Sequence, residues 1–354
     1  MDLPVMPPVK PMLAKASREI PEGEYIYEPK WDGFRALLFR DGDEHEVTSR
    51  NCKPLTRYFP ELAGPILDQL PDRCVLDGEL VVPGPDGLDF DLLGQRIHPA
   101  ESRIERLSQE TPAHLVLFDI LALDDLDLRP LPMADRRSTL DTLLDGVAEP
   151  LHLTPATHDP GLAADWFARF DGGGFDGVMA KATGGTYQED KRSQVKVKHH
   201  RSVDCVVAGY AEHRSGGVGS LKLGLYDDTS GTAVLHHVGV CSAFSAAQRR
   251  TLVSELEPLT DGAEIDHPWA PEGAGAPQAR VPGAPNRWSS GRSSAPWVPL
   301  RPVRVVEVTC ENISNGRFRH PARFVRWRTD KDPHDCTMTQ LDTPVPEEFA
   351  KLFR

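Results

Sequence analysis

The sequence predicts an α+β domain built on antiparallel sheets, followed by a smaller β-barrel domain. Three observations carry that prediction. Short apolar runs rich in Val, Leu and Phe recur with turn signals between them, helical spacing lies between some of the runs, and beyond residue 200 the pattern turns mainly to strands. A chain of 354 residues suits two domains of ordinary size.

Taken in order, YIYEP (25–29), ALLFRDGDEHEVTS (36–49), VLDGELVV (75–82) and LVLFDILAL (115–123) read as strands. Helical spacing follows at 133–145 and 161–171. After the basic, polar stretch KHHRSVD come DCVVAGYAEH, SLKLGLYD, VLHHVGV, VRVVEVTCE and ARFVRWRT, the strands of the second domain, with one helix at 243–257. Placing the boundary in that basic stretch gives domains 1–200 and 201–354. Residues 268–302 hold eight prolines and four glycines in 35 positions, which predicts a loop.

The net charge of −13 weighs at first against a nucleic-acid partner, because such proteins displace counterions with a basic surface. The average hides a division. Residues 201–354 carry 18 basic and 18 acidic side chains, leaving 22 and 35 for residues 1–200, and residues 301–331 alone hold eight Lys/Arg against three Asp/Glu. Partner arguments are therefore local. No apolar run is long enough for a signal peptide or a membrane span, so a soluble, cytoplasmic protein is expected. The six cysteines are scattered with no CxxC pair, which suggests neither a zinc site nor a disulfide framework.

Chemistry is suggested by several short segments. Lys30, in EPKWDGFR, follows a strand and precedes Gly33, so its amine can point into a cleft; a lysine becomes a nucleophile only when burial or neighbouring cations lower its pKa. Asp77 and Glu79 lie two apart in a strand and share a face, an arrangement that can hold Mg²⁺. Lys196 and Lys198 alternate with valines, placing two amines on one face, most easily understood opposite a phosphate. Lys181, in DGVMAK, follows a Gly-rich turn at 171–174 and a carboxylate at Asp176. Arg50, in SRN, follows a strand and can reach a phosphate or ribose, and Phe118 sits mid-strand where it can stack on a base. Each segment alone also fits a blander role: a surface turn for Lys30, a solvated acidic edge for Asp77 and Glu79, a lysine-guarded edge strand for Lys196 and Lys198, plain core for Phe118.

In order and spacing the segments resemble the motifs of the covalent nucleotidyltransferases, specifically the ATP-dependent DNA ligases. KWDGFR is similar to motif I, SRN to motif Ia, VLDGELVV to motif III, LVLFDIL to motif IIIa, DGVMAK to motif IV, VKVK to motif V and RHPARFVRWRTDK (319–331) to motif VI. PMLA near the start, LLGQRIHPAESRI (92–104) and the ending around DCTMTQL most resemble the stand-alone bacterial ligase C group. The resemblance implies a nucleotidyltransferase (adenylation) domain followed by an OB-fold. It implies ATP as substrate, attacked by Lys30 at the α-phosphate, and Mg²⁺, with Mn²⁺ as an alternative, held by Glu79 and Asp176.

Glu28, Arg35, Arg50, Phe118 and Lys181 would surround the nucleotide, with Lys196 and Lys198 neutralising the α-phosphate. Arg328, Asp330 and Lys331 would orient pyrophosphate. Arg50, Arg201, Arg319, Arg323 and Arg326 would meet the nicked duplex DNA. A monomer in the bacterial cytoplasm, associated with the nucleoid and with DNA-repair proteins, is the expected setting. The family usually carries Glu-Gly where this chain has Asp176-Gly177, so the shorter carboxylate stands farther from a metal. Two rivals follow: an RNA ligase or mRNA capping guanylyltransferase of the same chemistry, and a catalytically silent nick-binding module.

Overall fold

The computed structural model describes residues 1–84, 87–169, 175–229, 231–269, 279–282 and 296–342. These divide into two compact units, Met1–His199 and His200–Asp342. The anticipated turn at 171–174 and much of the anticipated loop at 268–302 lie outside the described residues.

The first unit holds two sheets. One contains β1 (Leu13–Ser17), β2 (Tyr25–Trp31), β8 (Phe175–Ala182) and β9 (Arg192–Lys198), in the order β1-β9-β8-β2. The other contains β3 (Phe34–Asp41), β4 (Glu44–Ser49), β5 (Arg73–Val81), β6 (His114–Leu123) and β7 (Leu151–Leu153), in the order β7-β6-β5-β3-β4, with Leu126–Asp127 paired beside β6. Most pairings are antiparallel, as the sequence predicts. The exceptions in this unit are β1 with β9 and β7 with β6, which are parallel because the chain returns through long crossovers rather than hairpins.

The helices are α1 (Ala63–Gln69), α2 (Phe90–Gln95), α3 (Glu101–Glu110), α4 (Met133–Leu143) and α5 (Pro160–Arg169). The sequence predicts α4 and α5 nearly in place; α1 to α3 escape it, two of them being only six and seven residues long. One core joins Leu38, Leu76, Leu80, Leu115 and Leu117 to Ile66 and Leu93 of α1 and α2, while Leu37, Phe39, Val75 and Leu121 meet Val5, Val9 and Met12 of the N-terminal segment. Strand alternation produces this split, since successive residues of β3 face opposite ways.

In the second unit β10 (Arg201–Glu212), β11 (Val218–Asp227), β12 (Val234–Ser242), β14 (Ala322–Trp327) and β13 (Val298–Cys310) form a closed barrel in that order. The helix α6 (Ala246–Leu256) starts at a capping box made by Ser245 and Gln248, within the 243–257 span the sequence predicts. One boundary needs correcting: the anticipated loop was to run to 302, yet β13 begins at Val298. Pro302 is tolerated because the pairing with β10 is broken there by a bulge, between Val207 and Gly209, and Pro299 sits at its edge opposite Gly209.

Candidate active site

Lys30 is the last residue but one of β2, and Gly33 after it is obligatory: a Cβ there would run into the carbonyl of Leu80. Gly177 has φ +133°, and a Cβ on it would collide with the Val197 carbonyl, so only glycine lets β8 lie against β9 at this point. Asp176 beside it is thereby presented to both neighbouring strands. One oxygen of that buried carboxylate, Oδ2, lies 2.6 Å from Lys30 Nζ and 2.9 Å from Lys198 Nζ. Burial pushes the Asp176 carboxyl up, but the two ammonium groups outweigh it and bring it down to about 2.

A cavity of 750 Å³ is lined by Lys30, Arg35, Arg50, Tyr58, Glu79 and Lys196, among others. A smaller one of 90 Å³, sharing Lys30, Arg35 and Glu79, is lined by Glu28, Phe118 and Lys181. The larger volume lies in the range of small-molecule sites. Burial pushes the Glu79 carboxyl up to about 7, against the pull of Arg35 and Lys30.

Asp77 does not join Glu79 as a paired ligand, a correction to the sequence reading. It is fully buried, takes Arg35 Nε and Nη2 at 2.5 and 2.6 Å, and accepts the Tyr187 hydroxyl at 2.7 Å. Arg35 also lies 4.5 Å from the centre of the Phe118 ring, with Lys181 Nζ at 4.7 Å. Phe118 is thus flanked by two cations as it lines the smaller cavity.

Glu28 is 2% exposed and bridges two cations, Lys181 Nζ at 2.7 Å from Oε2 and Arg137 Nη1 at 3.3 Å from Oε1. Lys181 Nζ also donates to the Phe118 carbonyl at 2.9 Å. Arg137 escapes the sequence reading. So does its neighbour Arg136, whose Nε and Nη2 meet the buried Asp119 at 2.8 and 3.0 Å. A signal was present: Met133, Arg136, Arg137 and Leu140 form the buried stripe of α4, so two arginines stand where apolar residues are expected.

In the second unit Asp204 of β10 accepts from Arg328 Nη1 at 2.8 and 3.0 Å and from Lys331 Nζ at 2.9 Å, while Arg328 Nε and Nη2 meet Asp330 at 2.9 and 2.8 Å. Arg328 holds the Asp330 carboxyl down to about 2. Asp204 was not anticipated. Of the anticipated DNA contacts here, Arg323 and Arg326 are exposed and Arg201 and Arg319 half-buried, with Arg326 Nε 2.7 Å from Glu307. No helix among the described residues is long and apolar enough to cross a membrane.

Comparison with known proteins bears on these features together. The model of the ATP dependent DNA ligase domain matches residues 10–199, and that of the ATP dependent DNA ligase C terminal region matches residues 214–331. DNA ligase C2 of Mycolicibacterium smegmatis is 52% identical over 97% of this chain and 97% of its own length. DNA ligase C of Mycobacterium tuberculosis is 50% identical over 99% of each chain. The solved structure of a Lig E DNA ligase, 16% identical with a TM-score of 0.52, covers 90% of this chain and 99% of its own, a likeness of fold alone. With both family models matched and half of all residues shared with full-length relatives, this chain belongs to the ATP-dependent DNA ligases.

Proposed function

We propose that the protein seals nicks in duplex DNA at the expense of ATP, through a lysyl-AMP on Lys30 and then a DNA-adenylate, and that it serves DNA repair as a monomer in the bacterial cytoplasm, at the nucleoid. The observation that carries this reading is Lys30, which lines both cavities and shares the buried Asp176 carboxylate with Lys198. In the first step Lys30 Nζ forms a bond to the α-phosphorus as the bond to the β-phosphate oxygen breaks and pyrophosphate leaves. Lys30 enters the step as the neutral amine, one ammonium proton having passed to water, and the second N–H proton leaves to water or pyrophosphate as the phosphoramidate forms; the part of Asp176 is to orient Lys30 and Lys198 on one oxygen. Lys196 and Lys198 oppose the α-phosphate charge.

Glu28 and Phe118 frame the adenine, with Lys181 fixing both, and Arg35 and Arg50 face ribose or phosphate. The 5′-phosphate of the nick then takes AMP from Lys30, and the 3′-hydroxyl displaces AMP to close the strand. Arg328, Asp330 and Lys331 act on the pyrophosphate, and Arg201, Arg319, Arg323 and Arg326 on the DNA backbone. We read the closed barrel as an OB-fold, and the two units as the adenylation domain (1–200) and OB-fold domain (201–354).

The donor set suits a hard cation. Glu79 would offer carboxylate oxygen to both cavities, and Asp176 would offer the second carboxylate. Mg²⁺ or Mn²⁺, when bound, draws electron density from the phosphate oxygens.

Incubation with α-labelled ATP and Mg²⁺ tests the reading. Wild-type protein is expected to become labelled, and Lys30→Ala to take up no label and seal no nick. Label from GTP but not from ATP would favour a guanylyltransferase, and a shift of nicked DNA by wild-type protein that never takes up label would favour a binding module.

A further inference from the structure

We propose that Asp204 is a positioning residue for the first step of ligation: its carboxylate holds Arg328 and Lys331 together as a two-cation fork for the departing pyrophosphate. This rests on the reading above that those two residues act on pyrophosphate. Both reach the same oxygen, Arg328 Nη1 at 2.8 Å and Lys331 Nζ at 2.9 Å, so the two cations stand within two hydrogen-bond lengths of each other. Like charges so close repel, and a shared carboxylate is what makes the pairing stable.

Asp204 is itself fixed by its backbone, its N–H donating to Gln340 Oε1 at 3.0 Å and its carbonyl accepting from Gln340 Nε2 at 3.1 Å. On its other side the guanidinium is held by Asp330 through Nε and Nη2. Among the described residues this leaves Arg328 with one uncommitted N–H on Nη2 and Lys331 with two on Nζ, three donors in a fixed cluster. Arg328 and Lys331 are balanced in charge by Asp204 and Asp330. The fork therefore works by placement of donors rather than by net charge, and placement is what Asp204 supplies.

Asp204→Asn keeps size and backbone contacts but removes the charge. Lysyl-AMP formation from ATP and Mg²⁺ is expected to slow by about tenfold or more, a loss of ~1.4 kcal/mol in barrier terms. Sealing of a nick that already carries 5′-adenylate, which releases no pyrophosphate, is expected to stay within about twofold of wild type. Asp204→Asn is expected to cost less in an Arg328→Ala background than in wild type, since only Lys331 is then left for it to place.

If Arg328→Ala slows adenylation and Asp204→Asn does not, the positioning role is wrong while the reading of Arg328 stands. If neither Arg328→Ala nor Lys331→Ala slows it, the pyrophosphate reading fails and this proposal with it. Equal loss in both steps with a lowered melting temperature would make Asp204 a structural residue only. Faster adenylation by Asp204→Asn would make it a restraint, and would equally overturn the proposal.

Discussion

At Glu28 the magnitudes of charge burial decide what matters. A carboxylate nearly sealed from water stays in place because Lys181 and Arg137 each take one of its oxygens. Replacing Arg137 with Met leaves that carboxylate with a single cation, and breaking a buried pair in this way costs about 3–5 kcal/mol. Arg137→Met is accordingly expected to lower the urea midpoint and to raise the ATP concentration needed for half-maximal adenylation. An unchanged midpoint together with unchanged ATP dependence would refute the role. Asp176 differs in kind, because its two partners, Lys30 and Lys198, are the residues proposed for the chemistry, so its substitution is read in activity first.

Among the elements, β8 shows how tightly the chemistry depends on backbone. Gly177→Ala must relieve a collision with the Val197 carbonyl while holding φ +133°, and each demand costs on the order of 1–3 kcal/mol. The variant is expected to lose adenylation through displacement of Asp176 from Lys30 and Lys198, with a lower melting temperature; retained labelling at wild-type rate would show that the strands separate without cost to the site. Strands were the legible part of this sequence. Their apolar runs and turn residues announce β3, β5 and β6, and the ordered motifs mark Lys30, Glu79, Lys198 and Arg328 as candidates. Two of the three missed helices are too short for a helical period to register. Arg137, Tyr187 and Asp204 were missed for another reason: each acts through a partner more than a hundred residues away, and the sequence alone does not announce such a contact.

For the whole molecule, each unit carries an imidazole that resists protonation, His152 buried and His237 half-buried. Burial lowers His152 to about 4, helped by His114, and His237 to about 3, helped by Lys222 and Arg317. The unfolded chain accepts protons at these sites below about 6.5, which the folded protein refuses until about 4 and about 3. Stability from both groups is therefore present above about pH 6.5 and lost as pH falls through that window. The melting temperature at pH 5 is expected to lie below that at pH 7, with His152→Gln and His237→Gln each narrowing the gap; a gap unchanged in both variants would refute the assignment. The net charge of −13 is likewise a sum over unlike parts, an acid-rich first unit and a balanced second.

Arg136 and Arg137 are consecutive, yet they anchor different sheets: Asp119 lies on β6 and Glu28 on β2. One helix thus ties the two sheets of this unit together through a pair of buried ion pairs, and a shift of α4 is felt at Glu28, which lines the smaller cavity, and at Asp119 together.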